Sequence, residues 1–70
     1  MPFAHDATLS RRQREVLELL ADGLSARQIA ERLGIAETTA RNHIHALLCR
    51  LGCHSQLQAV AVARQTHLIS

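Results

Sequence analysis

The sequence predicts an all-α domain of four helices built around a central helix-turn-helix, and three observations carry that expectation. Chain breakers are scarce, with three glycines and one proline in 70 residues. Each of three apolar-periodic stretches is preceded by a serine with a glutamine three residues later. A break of only three or four residues, at Leu33, Gly34, Ile35 and Ala36, separates two of the stretches. The apolar fraction of 47% is too high for a disordered chain. So little Gly and Pro does not suit a many-turned β fold, and no strand candidate or internal repeat is visible. A chain of this length holds one core at most.

The first helix is expected at residues 11–21. Ser10 and Gln13 form a candidate capping box, the hydroxyl accepting from a first-turn N–H while the amide reaches back to the cap. Gly23, after Asp22, marks its end. Residues 1–8, with Pro2, read as a flexible arm or the end of a linker, so the domain proper is 9–70. The second helix, 26–33, starts at Ser25 with Gln28 and points Ile29, Ala30 and Leu33 inward. Its small Ala30 lets the next helix approach. A turn as short as the one at Gly34 suits a crossing of about 90–120°, the helix-turn-helix arrangement, rather than two helices side by side. The fourth helix, 56–66, starts at Ser55 with Gln58.

The third helix, 37–51, is bounded by Gly52. At about 100° per residue, Ala40, Ile44, Leu47, Leu48 and Leu51 fall in one stripe and face the core. The opposite face holds Thr38, Asn42, His45 and Cys49, flanked by Arg41 on one side and by Thr39, His43 and Arg50 on the other. The only acid of this helix is Glu37, at the amino end where the macrodipole favours it. A solvated face normally mixes glutamate with lysine. This one offers short hydrogen-bonding groups, guanidinium and imidazole, the side chains that read DNA grooves. Arg41 suits guanine O6 and N7, and Asn42 suits adenine N6 and N7. Thr38, Thr39, His43 and Arg50 are placed for phosphates, which set register but read no sequence.

Charge and composition narrow the function classes. Eight arginines, no lysine and six acids give +2 with the five histidines neutral, a balance that permits an anionic partner. Every fixed cation is therefore a guanidinium, the group that binds phosphate or guanine in a fork. Arg11, Arg12 and Arg14 crowd the first turn of the first helix against its dipole, which suggests a backbone contact there, with Arg12 the candidate. Phe3 is the sole aromatic, too few for stacking unpaired bases. A single layer of helices hardly encloses a catalytic pocket, so an enzyme is not expected, and neither is a cofactor. No apolar run approaches the roughly 20 residues of a membrane span and no secretory signal is visible, so the chain is expected in the cytoplasm with Cys49 and Cys53 reduced.

From Leu9 to Ile69 the chain resembles the LuxR-type (GerE-like) helix-turn-helix domain of bacterial transcription regulators. The resemblance rests on three segments in order: LSRRQREVLELLADGLSARQIAERL, GIAETTARNHI and RLGCHSQLQAVAVA. It implies sequence-specific binding of double-stranded DNA, with the third helix in the major groove and the fourth forming a homodimer contact. It also implies base reading by Arg41, Asn42 and His45, and backbone contacts from Thr39 and Arg50. The chain departs from the family pattern at four places. Ala36 stands where a capping serine is usual, Ala40 where a larger apolar residue is, Cys49 at a commonly polar or basic site and Gln56 at a usual arginine. The last two weaken phosphate contacts.

The fourth helix is apolar on more than one side. Ala59, Val60 and Ala63 are expected in the core; Leu57, Ala61 and Val62, beside Gln58 and Gln65, form a second patch suited to a two-fold dimer. Such a dimer would set two recognition helices about 34 Å apart on paired half-sites. The rival function is a protein-binding helical module that contacts RNA polymerase or another regulator. A metal site built from His43, His45, Cys49, Cys53 and His54 has no known zinc spacing, so no metal is expected.

Overall fold

The structure is a computed structural model and describes residues 9–66. The arm expected at residues 1–8, and residues 67–70 of the expected domain, lie outside the described residues. Four helices follow in order, α1 (Arg11–Ala21), α2 (Ala26–Leu33), α3 (Glu37–Leu51) and α4 (Gln56–Gln65), with no strand among the described residues. The expected ends match except that α4 stops at Gln65. Thr66 closes it, its hydroxyl donating to the Val62 carbonyl at 2.8 Å.

Serine chemistry starts three of the helices. Ser10 Oγ accepts from Gln13 N at 3.0 Å while Ser10 N donates to Gln13 Oε1 at 2.9 Å. Ser25 and Gln28 repeat the exchange at 3.2 and 2.8 Å. The third expected box differs. Ser55 Oγ accepts from Gln58 N at 3.1 Å, but Gln58 Oε1 takes the N–H of His54, at 2.8 Å, instead of that of Ser55. The cause is backbone rotation: Ser55 has φ −147°, against −70° and −80° at the other two caps, which carries its own N–H out of the amide's reach. α3 starts at Ala36 with no side-chain cap at all.

Three of the helix ends share one device. The N–H of Leu24, Ile35 and Cys53 reaches back five residues, to the carbonyls of Leu19, Ala30 and Leu48, at 3.1, 3.0 and 2.9 Å. These are the long bonds of Schellman turns, each followed through by an apolar side chain folding onto the core. The geometry needs left-handed backbone, supplied by Gly34 (φ 69°) and Gly52 (φ 68°), where a Cβ would strain the chain.

The core draws on every helix: Val16, Leu17 and Leu20 of α1; Ala26, Ile29 and Ala30 of α2; Ala40, Ile44, Leu47 and Leu51 of α3; Ala59, Val62 and Ala63 of α4. α3 is the central element, packed against the other three. No polar or charged residue is buried among the described ones. α1 has no basic residue in its own last turn. Arg64 of α4 serves instead, donating from Nη2 to the Ala21 carbonyl at 3.2 Å and bracing α4 on the negative end of α1.

Two core assignments change. Val62 is buried at 7% exposure and Val60 is only half-buried, the reverse of the expected facing. Ala59, Val62 and Ala63 stand at the i, i+3, i+4 spacing of one helix face, whereas Val60 lies about 100° from Ala59. Leu33 and Leu48 are also only partly buried, packed at the edge of the core.

Candidate nucleic-acid interface

The short turn at Gly34 decides how α3 is presented. α2 is held beneath it by Ile29, Ala30 and the wholly buried Ala40, and small residues at both Ala30 and Ala40 let the two helices pack closely. With Ala40, Ile44, Leu47 and Leu51 committed to the core, the remaining sides of α3 are turned outward. Thr38, Thr39, Arg41, Asn42, His45, Cys49 and Arg50 are all exposed, as expected. His43 is half-buried, so its imidazole stands at the margin of the face. Ala46, not singled out from the sequence, is also exposed on this side, and its methyl suits contact with a thymine methyl.

The Arg41 side chain on this face is engaged within its own helix. Arg41 Nη2 lies 2.6 Å from Glu37 Oε2, one helical turn earlier. In the sequence, Glu37 is accounted for by the helix dipole alone. The acid-before-base order at i, i+4 spacing was the available signal for the pair. Arg41, His45 and Gln56 also border a shallow cleft of about 340 Å³ between α3 and the start of α4, floored by Ile44 and Leu48.

The other expected contacts are more dispersed. Arg12, in the first turn of α1, sits 3.8 Å from Glu15 with both side chains nearly half exposed, a pair that water screens heavily. On α4, Leu57 is 83% exposed, the exposed large hydrophobic of the described residues, and Ala61 and Gln65 are exposed with it. Val62 drops out of that patch because it is in the core, and Gln58 is occupied by the His54 N–H. Val60 joins it instead. Leu57 and Val60 border a groove of about 460 Å³ shared with Leu20, Ala21 and Leu24.

Cys49 is exposed and Cys53 is buried, and both are free thiols. The Cys53 thiol donates to the Leu51 carbonyl at 3.6 Å, and burial pushes its pKa above the ordinary value. Among the described residues no three His, Cys, Asp or Glu side chains gather as a metal site. No helix of the described residues is long and apolar enough to cross a membrane.

Comparison with known proteins agrees with the four-helix fold. The family described as "Bacterial regulatory proteins, luxR family" matches residues 7–63. The chain is 46% identical over 55 residues to the glycerol metabolism activator of Pseudomonas putida, covering 79% of this chain and 25% of that protein. It is 41% identical over 58 residues to the spore germination protein GerE of Bacillus subtilis, covering 83% of this chain and 78% of that protein. Among solved structures it is similar to the response regulator ChrA of a heme-sensing two-component system, with a TM-score of 0.85 and 40% identity. That likeness covers 89% of this chain and 31% of ChrA, so the chain spans a quarter to a third of the longer relatives.

Proposed function

We propose, from the premise that this chain belongs to the LuxR family of bacterial regulatory proteins, which bind DNA and regulate transcription, that its α3 lies in the major groove and reads base edges. The observation that carries the reading is the outward face of α3: the neighbours Arg41 and Asn42 stand exposed with His45 about one turn further on, while the other side of the same helix is sealed into the core. Arg41 takes a guanine, Asn42 an adenine, and His45 an acceptor on the next base pair. Thr38, Thr39, His43 and Arg50 on α3, with Arg12 on α1, meet the flanking phosphates.

The bound form is a homodimer joined through α4. Leu57, Ala61 and Gln65, with Val60 in place of Val62, supply the shared patch, and an isologous contact there places two copies of α3 on half-sites about 34 Å apart. A cytoplasmic regulator of this kind also works beside RNA polymerase. The rival, a module that grips only protein, is disfavoured by a face whose two fixed cations and imidazole are opposed by one acid.

Salt titration of duplex binding tests the reading. Contacts to about four to six phosphates per monomer predict a log–log slope near −4 to −5 on any duplex, with one selected sequence bound well above the rest. A shallow slope and equal affinity for all duplexes would overturn it in favour of the protein-binding module.

A further inference from the structure

We infer that Glu37 is a specificity-determining positioning residue, which grips Arg41 so that its guanidinium is offered to a base edge and withheld from phosphate. The inference rests on the groove-reading function proposed above.

Arginine is a versatile donor, and that is a difficulty for a sequence reader. A free guanidinium on a long flexible stem meets the nearest phosphate as readily as a guanine, and phosphate contacts carry no sequence information. In this structure the choice is restricted. Glu37 Oε2 holds Arg41 Nη2 at 2.6 Å, a charge-assisted bond on one corner of the fork. The other donors of the guanidinium remain available, and the Arg41 side chain is still 64% exposed. Holding one corner fixes the plane of the group, which is the condition for a forked contact to O6 and N7.

Two features keep Glu37 in place independently of Arg41. It is the first residue of α3, where the helix dipole favours a carboxylate. Ala36 supplies no side-chain cap, so Glu37 is the anion that this helix start possesses. An exposed pair of this kind contributes little to stability, so its value is sought in orientation and in charge. Bringing a fixed carboxylate toward the DNA backbone is repulsive, and the repulsion falls on those poses in which Arg41 leans to phosphate. Glu37 therefore lowers non-specific affinity more than specific affinity, which is how discrimination by an unfavourable element works.

The test uses the intact chain and two variants, Glu37→Gln and Glu37→Asp, each alone and combined with Arg41→Ala, binding a selected duplex and a scrambled one across a salt series. Glu37→Gln keeps the size and removes the charge. Glu37→Asp keeps the charge and is one methylene too short to hold Arg41 in the same place. Both are expected to lower the ratio of specific to non-specific affinity about 5- to 10-fold, and to steepen the non-specific salt slope by about 0.9 as Arg41 gains a phosphate. Neither effect should appear in the Arg41→Ala background. A Glu37→Asp protein with the wild-type ratio, or a Glu37→Gln protein that gains equally on both duplexes, would overturn the inference. If Arg41→Ala by itself left the ratio unchanged, the groove-reading function would fail first, and that outcome is separate from the behaviour of Glu37.

Discussion

Individual side chains in this domain divide sharply between those sealed in and those left out, and the two cysteines show it most directly. Cys53 is a small apolar filler at the end of α3, whereas Cys49 is exposed on its outer side. A thiol reagent at neutral pH is expected to modify one cysteine in the native protein and the second only on unfolding; two fast sites would contradict the burial of Cys53. Desolvation raises the Cys53 pKa, so on alkalinisation the unfolded chain gives up this proton first. Its contribution to stability is complete below the unfolded thiol's pKa and is lost as pH rises through the folded value. The chain has no lysine and no tyrosine, which leaves few other groups to titrate in that range. Thermal unfolding of Cys53→Val is therefore expected to lose less stability between neutral and alkaline pH than the wild type does.

At the scale of elements, helix starts and stops were legible because they follow from local chemistry. Ser10 with Gln13 and Ser25 with Gln28 make the reciprocal bonds that their spacing implies, and the glycines close helices where they stand. What failed depended on more than neighbours in sequence. The amide of Gln58 went to His54 because of a backbone rotation at Ser55, and Val62 rather than Val60 joins Ala59 and Ala63 in the buried stripe of α4. The i, i+3, i+4 spacing of Ala59, Val62 and Ala63 marks that stripe, but on a helix that is apolar on more than one side it competes with other apolar sets. The bond from Arg64 to Ala21 spans 43 residues and had no local signature. Two variants probe these elements. Ala36→Ser supplies the missing cap of α3 and is expected to raise stability by about 0.5–2 kcal/mol in denaturant unfolding. Arg64→Ala, which leaves the end of α1 without its cation, is expected to lower it by about 0.5–1.5 kcal/mol. A neutral Ala36→Ser would show that Glu37 and solvent already satisfy the start of α3.

For the molecule as a whole, the arrangement is one central helix with its inner side spent on the core and its outer side exposed. The facial assignment of α3 was readable from a 100° count, since its polar and apolar residues segregate cleanly. The ion pair within that face was not read, because Glu37 already had an explanation at the helix start. The proposed dimer rests on α4, where Leu57→Glu is expected to remove cooperative occupation of paired half-sites while the monomer stays folded, since Leu57 is 83% exposed. Unchanged cooperativity would move the contact elsewhere. The central claim, that α3 reads sequence, is tested most directly by measuring Arg41→Ala and Arg50→Ala against a selected duplex and its single-base variants. Arg41→Ala should lose about 1–3 kcal/mol and its preference at one base pair, while Arg50→Ala should weaken every duplex nearly alike. A uniform loss from both variants would contradict base reading by α3.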